Sequence, residues 1–331
     1  MAGLAAAAPV VAKQPGGKAI ATSWQDEQGQ AWLGLLLPRG DQLTIQTQLA
    51  LPGRAHGVLW APDGSVLAAA RRPGDWLLRW WPQQGGRVRW RWSAAGQHFN
   101  GHLLRRADGH WLSSETDLAD SQGLLVLRDR TTLEMLDSWP SGGRDPHALL
   151  ADGDGHVLVA NGGLVLDAAS GRRVVADGPP ASSLSRVAMH SGAVQSWRLA
   201  DPWLSIRHLA RAADGRVGVA LQAQHIELEA RTQAPLLALW DGVDLATVTG
   251  SHDGVGGYGA DLTAQGQGLR VSATQANLLI DWQPDGSLQR RPLAGAGALS
   301  SAWSFGRGLG LPQNGPARAL PTGCLVDNHA A

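Results

Sequence analysis

The sequence predicts an all-β protein, and three observations lead to this prediction. First, an Asp-Gly pair recurs between short apolar segments, which is a strong signal for a β-hairpin because glycine adopts the positive φ that the turn needs. Second, 43 of the 331 residues are glycine and 18 are proline, a composition that favours short strands joined by tight turns. Third, no long segment shows the 3.6-residue period of an amphipathic helix.

A histidine precedes four of the Asp-Gly pairs by roughly six residues. The Asp-Gly pairs recur at about 44 residues, except for a longer last interval. An apolar segment follows each pair, and most units contain a second hairpin. Four strands in about 40–50 residues are typical of one blade of a β-propeller. The four histidines are His56, His102, His147 and His208.

The repeat length predicts a seven-bladed β-propeller of four-stranded antiparallel blades, which forms a single domain over residues 18–331. We expect the ring to close by pairing of the N-terminal and C-terminal strands, which also hides the sheet edges. The tryptophans in strand-like segments are expected to pack between blades. The expected blades are residues 18–50, 51–95, 96–140, 141–200, 201–250, 251–293 and 294–328.

Charge and cysteine content exclude several classes of protein. The 28 basic residues equal the 28 acidic residues, so the long-range field that a nucleic-acid-binding protein uses is absent. The single cysteine, Cys324, excludes an intramolecular disulfide and a cysteine-cluster metal site. No apolar run is long enough for a transmembrane segment.

The first residues favour export from the cytoplasm. Residues 2–12 are small and apolar and precede Lys13, as in the end of an export signal, although the basic leading segment is absent. Residues 1–17 are therefore expected to be the remnant of a signal peptide, with a disordered tail as the alternative. Export predicts a periplasmic location, and we expect a monomer.

Four segments of the sequence resemble a bacterial family of exported propellers that is defined only as a domain of unknown function. They are residues 71–74 (RRPG), residues 96–102 with 112–117 (GQHFNGH and LSSETD), residues 145–150 with 159–163 (DPHALL and VANGG), and residues 204–210 (LSIRHLA) followed by Asp214, Gly215 and Gln222. The family falls in the group of YVTN-like (WD40-like) and quinoprotein-amine-dehydrogenase-β-chain-like propellers. The resemblance covers about residues 20–328, and Asn100 stands where the family has an aromatic residue.

The resemblance implies a role in iron acquisition at the cell envelope. Genes of this family tend to lie beside genes for imelysin-like iron-regulated proteins and di-haem oxidoreductases. It therefore implies periplasmic imelysin-like or haem proteins as partners.

The repeat histidines are the principal candidates for a binding site. Equivalent positions on the innermost strands of neighbouring blades converge on the propeller axis, where imidazoles could hold iron, copper or another divalent metal. The last two units lack the histidine, which predicts an open side for ligand. The alternative is structural, because WD-type propellers use a recurring histidine to bond a turn aspartate. Candidate ligand-binding residues at the same end are Arg71, Arg72, Glu115, Asn161, Arg207 and Gln222.

The sequence leaves three functions open. The first is a non-enzymatic periplasmic component of an iron-related system, whose histidine-lined face binds metal, haem or a partner protein. The second is a metal-dependent lactonase-like hydrolase, in which Glu115 and Asn161 would hold the cation. The third is a protein-interaction scaffold. No catalytic residue is assigned, since the Gly-x-Ser-x-Gly motif is absent.

Overall fold

The computed structural model describes residues 19–153, 155–165, 167 and 178–331. Within these residues the chain is built almost entirely of strands. The first strands in chain order are β1 (Ile20–Gln25), β2 (Ala31–Arg39), β3 (Gln42–Leu51), β4 (Ala55–Trp60), β5 (Val66–Ala70), β6 (Trp76–Trp81), β7 (Arg87–Trp92), β8 (Gln97–Arg105), β9 (Trp111–Asp117), β10 (Gln122–Arg128), β11 (Met135–Arg144), β12 (Pro146–Ala151), β13 (His156–Asn161), β14 (Ser183–Ala188) and β15 (Val194–Trp197).

The second half of the chain continues the same pattern and adds two short helical turns. The α-helix α1 (Leu228–Gln233) follows β17, and a 3₁₀ turn (Thr274–Ala276) follows β21. The remaining strands are β16 (Leu204–Arg211), β17 (Val217–Ala223), β18 (Leu237–Trp240), β19 (Leu245–Thr247), β20 (Asp261–Gln265), β21 (Gly268–Ala273), β22 (Leu278–Trp282), β23 (Leu288–Pro292), β24 (Trp303–Gly306), β25 (Leu309–Pro312), β26 (Arg318–Ala319) and β27 (Leu325–Ala330).

The strands form a β-propeller of small antiparallel sheets. Five sheets have four strands each, β4–β7, β8–β11, β12–β15, β16–β19 and β20–β23, with neighbours in sequence paired as successive hairpins. The first strand of one sheet contacts the first strand of the next, from β4 through β8, β12 and β16 to β20, and β27 contacts β4. These first strands therefore surround a common axis.

The prediction of seven four-stranded blades was wrong. In the described part of the chain the five regular sheets are joined by one seven-stranded sheet, with the order β24-β25-β26-β3-β2-β1-β27. The chain after β23 forms four strands. Three of them, β24–β26, are short and neighbour one another, whereas the last, β27, pairs with β1. These three strands attach to β3 through a single parallel pair, Ala319 with Gln42. Pairing of β1 with β27 confirms the predicted closure between the chain ends.

The Asp-Gly pairs form the turns that the sequence predicts. Gly64, Gly109, Gly215 and Gly286 all have φ between 76° and 92°, in the left-handed region that glycine tolerates. The preceding aspartates accept a hydrogen bond from the backbone N–H two residues later, for example Asp63 Oδ1 from Ser65 at 3.1 Å. Such Asx turns stabilise the hairpin locally.

The core lies between adjacent sheets, and tryptophan fills much of it. Trp76, Trp80, Trp111 and Trp282 are each at most 2% exposed. Trp76 and Trp80 pack with Leu33 in a cluster shared by the sheets that contain β2 and β5. This confirms the prediction that tryptophans pack between blades. None of the described helices has the length and hydrophobicity that a transmembrane helix requires.

The predicted signal-peptide remnant, residues 1–17, lies outside the described residues. Its export function and the domain boundary at residue 18 stay predictions.

Two glycines allow the inner strands β4 and β8 to approach each other closely. A Cβ on Gly57 would fall far inside contact distance of the Gly101 carbonyl oxygen. Gly101 has φ 94°, and a Cβ there would lie 2.7 Å from the His56 side chain. Because Gly57 follows His56 and Gly101 precedes His102, this contact fixes both histidines at the axis.

We expect Gly57→Ala to lower the free energy of unfolding by about 1–3 kcal/mol, since the added methyl must push two backbones apart. Gly53→Ala is the matched control, because a Cβ at Gly53 meets nothing within 4 Å and its backbone is not left-handed. Urea denaturation of both variants checks the difference. Equal stability of the two variants would show that the β4–β8 contact is not tight.

Candidate functional site

Irregular pairing in the inner strands directs the repeat histidines toward the axis. The register between β4 and β5 shifts between Ala55 and Val58, around His56. The pairing of β8, β12 and β16 with their second strands shifts in the same way, next to His102, His147 and His208. A β-bulge bends its strand and re-aims the side chains beside it. Sequence patterns of hairpins do not show such bulges.

Five imidazoles meet at the axis, one more than the sequence predicts. The ring centroids of His56, His102, His147 and His208 lie 4.4–6.2 Å from one another. His329, on β27, lies 4.6–5.0 Å from three of them, His56, His102 and His208. Nε2 of His56 and Nε2 of His147 lie 3.3 Å apart, within hydrogen-bonding distance.

A carboxylate occupies the position where the fifth sheet has no histidine. Asp261 begins β20, and its carboxylate lies 3.7 Å from His208 Nδ1 and 3.2 Å from His329 Nδ1. The carboxylate accepts the backbone N–H groups of Leu262 and Leu299 at 2.8 and 2.7 Å, which hold it in place. The last two units therefore contribute Asp261 and His329 to the cluster although they lack the repeat histidine.

The buried imidazoles are held in the neutral form. Burial lowers the pKa of His56, His102, His147 and His208 well below the usual value for histidine, and positive charge on the surrounding histidines and arginines lowers it further. A neutral imidazole keeps one nitrogen lone pair, which is the form that binds a metal. Among the described residues, His102 Nε2, His147 Nδ1 and His329 Nε2 are buried and have no hydrogen-bond partner.

Among the described residues, the turn aspartates of the repeat do not form the structural pair with the repeat histidines that the sequence left open. Asp63 bonds the side chains of Arg79 and Trp81, and Asp152 bonds Arg186 and Arg211. These aspartates lie in the turns that end the inner strands, whereas the histidines face the axis. The two halves of the repeat therefore have separate roles.

A polar cavity of about 130 Å³ lies on one side of the imidazole cluster. Arg207 is buried and donates from Nη1 to Asp145 at 2.7 Å, and Arg72 also forms an ion pair with Asp145. Burial lowers the pKa of Arg207 to about 10, so its guanidinium is still charged at neutral pH. Four predicted ligand-binding residues line this cavity together with histidines of the cluster, Asn100 and Tyr258; they are Arg71, Arg72, Arg207 and Gln222.

A second cavity, of about 160 Å³, lies against the same cluster but has a mostly aliphatic wall. His102, His208, His329 and Asp261 line it. The remaining lining residues are chiefly Val58, Leu59, Leu103, Ala148, Leu149, Leu209, Leu262, Leu299 and Ala330. The imidazole layer therefore separates a cationic space from an apolar one.

The structure places Glu115 and Asn161 away from both cavities. Glu115, on β9, is buried and accepts a hydrogen bond from Arg128 Nη2 at 2.6 Å. Asn161, on β13, accepts a hydrogen bond from Ser141 of the neighbouring sheet and donates one to Ser185 of its own sheet. Neither residue lines the axis, so this geometry does not supply the cation site that the lactonase-like hypothesis requires.

Sequence reasoning missed His329 and Asp261 because neither belongs to the His…Asp-Gly repeat. A signal for His329 was nevertheless present. Closure between the chain ends makes the last strand an inner strand, and His329 lies on that strand. No comparable signal marks Asp261.

Comparisons with known proteins agree with the fold. Residues 49–329 match a family model described as a protein of unknown function (DUF1513). No curated protein matches the sequence.

Several solved structures have a similar fold. A functionally unknown protein from Desulfotomaculum acetoxidans has a TM-score of 0.60 at 11% identity, over 95% of this chain and 98% of its own. Virginiamycin B lyase from Staphylococcus aureus, in a catalytically inactive form with quinupristin, has a TM-score of 0.58 at 10% identity, over 88% of this chain and 92% of its own. A gluconolactonase from Xanthomonas campestris has a TM-score of 0.51 at 16% identity, over 92% and 97%. At these identities the similarity shows the fold alone.

Acid should destabilise the metal-free protein through the buried histidines. Their folded-state pKa lies below the value near 6.5 of the unfolded chain, so the unfolded state binds more protons between the two values. The free energy of unfolding should fall as pH drops below about 6.5, by about 1.4 kcal/mol per histidine for each pH unit between its two pKa values. We expect His147→Gln to make this fall shallower between pH 7 and pH 5. Urea denaturation in the presence of a chelator measures it.

His252→Gln, at an exposed histidine outside the cluster, provides the control, and the fall should be shallower in His147→Gln than in this variant. A wild-type stability that does not change between pH 7 and pH 5 would contradict the neutral cluster.

We expect Glu115→Gln to lower the free energy of unfolding by about 3 kcal/mol, because it leaves the buried Arg128 without its counter-charge. Where the axial cluster binds a metal ion, as we propose below, that binding should be unchanged in the folded variant, because Glu115 lines neither cavity. Thermal denaturation and metal titration of the same sample check both statements. Loss of metal binding in a folded Glu115→Gln variant would restore Glu115 as a site residue.

Proposed function

We propose that the chain, which belongs to the DUF1513 family, binds a divalent first-row transition-metal ion at the axial imidazole cluster. The observation that carries the proposal is the convergence of His56, His102, His147, His208 and His329, with Asp261 beside them. Three groups of three side chains in this cluster have ligand atoms within 4.8 Å of one another. Imidazole with one carboxylate is a donor set suited to zinc, iron, copper or nickel.

The distances in the cluster support a metal site. Zinc–nitrogen bonds are about 2.0–2.1 Å, so two ligand nitrogens of a tetrahedral site lie about 3.3–3.4 Å apart. The 3.3 Å between His56 Nε2 and His147 Nε2 agrees with that separation. The ligand atoms of each three-residue group lie within 4.8 Å of one another.

The energetics of the cluster also favour a ligand over a structural role. A buried polar atom without a hydrogen bond costs about 1–3 kcal/mol. Three ring nitrogens of the cluster are in that state in the described chain. An aliphatic axis would avoid this cost, whereas a bound ion converts the free lone pairs into bonds.

An ion fits the cavities better than haem does. The two cavities measure about 130 and 160 Å³, well below the 300–1,000 Å³ of pockets that enclose drug-sized ligands. Histidines occupy the axis between them. We therefore propose an ion as the ligand and not a haem.

The proposed protein is a metal-binding component and not a hydrolase. Glu115 and Asn161, the residues on which the lactonase-like hypothesis depended, form hydrogen bonds within and between sheets and line neither cavity. The periplasmic location, the iron-related system and an imelysin-like partner are supported by the family resemblance in the sequence. We include this cellular location, system and partner in the proposal.

We expect the chelator-stripped protein to bind one divalent ion per chain, and the double variant His102→Ala/His147→Ala to bind it at least 100-fold more weakly. The loss follows because each substitution removes a nitrogen ligand. Equilibrium dialysis with zinc, iron(II), copper(II) and cobalt(II), followed by elemental analysis, measures the affinity and shows which ion is preferred.

Two exposed or half-buried histidines outside the cluster serve as the control. His110→Ala/His252→Ala removes the same number of imidazoles and should bind the ion like the wild type. The proposal fails when the wild type binds no ion, or when both double variants bind equally well.

A further inference from the structure

The polar cavity beside the cluster has an excess of positive charge. Three guanidinium groups line it, Arg71, Arg72 and Arg207, and Asp145 is paired with two of them. Among the described residues no salt bridge includes Arg71, an exposed residue that lines the cavity. Asp327, the carboxylate that attracts Arg71 over a longer distance, is already paired with Arg54. Arg207 is 2% exposed, and its Nε has no hydrogen-bond partner among the described residues. The cavity thus contains a buried donor directed at no protein acceptor.

A bound metal ion would increase this excess. Neutral imidazoles contribute no charge, so Asp261 alone would offset part of the charge of a divalent ion. The ion and the three arginines would then outweigh Asp145 and Asp261. Like charges in a partly buried space repel strongly because the effective dielectric is low. An anion that binds between the ion and the guanidinium groups would offset this excess of positive charge.

We propose that the cavity lined by Arg71, Arg207, Gln222 and Tyr258 binds a small oxyanion, carboxylate or phosphate, which also coordinates the metal ion of the imidazole cluster. This inference rests on the proposed function, since the metal is one of the two anchors of the anion. Guanidinium forks match the geometry of carboxylate and phosphate oxygens. Gln222 and Tyr258 add an amide and a hydroxyl as further hydrogen-bonding groups.

The size of the cavity limits the anion to a few heavy atoms. About 130 Å³ is less than half of the smallest pockets for drug-sized ligands. Oxalate and inorganic phosphate are therefore suitable probes. The two anions distinguish a carboxylate ligand from a phosphate ligand.

The test is calorimetric titration of each anion into zinc-loaded protein and into metal-free protein. In the wild type we expect at least one of the anions to bind the zinc-loaded form at least ten-fold more tightly than the metal-free form, because binding of ion and anion is reciprocal. Zinc should stay with the protein, as measured by ultrafiltration.

Arg71→Gln is the informative variant, since Arg71 is exposed and its loss leaves the core intact. It should bind the anion at least ten-fold more weakly than the wild type. It should also bind zinc alone somewhat more tightly, because one repelling charge is gone; a structural defect would weaken both. Arg39→Gln is the control, since Arg39 is an exposed arginine at the end of β2. It should bind the anion and zinc like the wild type.

The possible outcomes separate the two proposals. Three results would each overturn this inference and leave the proposed function intact. They are an anion affinity that is the same with and without zinc, an anion affinity that is the same in Arg71→Gln as in the wild type, and release of zinc when the anion binds. Absence of zinc binding to the wild type overturns the proposed function and with it the ternary complex. Tighter binding to the zinc-loaded form that depends on Arg71 supports both.

Discussion

Pairing of the first and last strands is the interaction on which the rest of the structure depends. Ala21 and Ala331 exchange both backbone hydrogen bonds, at 2.9 and 2.8 Å, and β27 thereby becomes the inner strand next to β1. That pairing brings His329 to the axis opposite the repeat histidines. Without it the sheets would form an open arc, and the imidazoles would share no centre.

The site combines two requirements that oppose each other. In the proposed metal site the imidazoles must be close enough to share one ligand, and they must be removed from water so that they stay neutral. Burial without hydrogen bonds is unfavourable, and the tightly packed sheets compensate for it through apolar contacts between blades. The backbone contact of Gly57 with Gly101 belongs to this compensation, since only glycine lets the inner strands come so close.

The sequence predicts the repeating part of the molecule well because local chemistry determines it. Asp-Gly turns identify hairpins, and the equal spacing of His56, His102 and His147 places them on equivalent strands. The sequence does not predict what depends on long-range pairing. The shortened strands after β23 and their attachment to β3 follow from closure, and they explain the wrong number of blades.

The same division holds for the site. Arg71, Arg72, Arg207 and Gln222 were grouped correctly at one end because each lies near an inner strand or at the end of a second strand. Glu115 and Asn161 occupy similar places in sequence, but the alternation of strand side chains turns them away from the axis. Glu115 faces Arg128 of its own sheet, and Asn161 faces Ser141 of the neighbouring sheet. A shift of one residue in the strand register moves every side chain of the strand to the other face of the sheet. The β-bulges that set this register have no sequence signature.

The two unlike cavities on either side of the imidazole layer affect how fast an ion could come and go. A hydrated cation that enters from the arginine side meets a repelling field, and one that enters from the aliphatic side must give up water without polar compensation. Both routes impose a kinetic barrier that an open surface site lacks. An ion bound as we propose would therefore exchange with solvent slowly, with a long residence time in the layer.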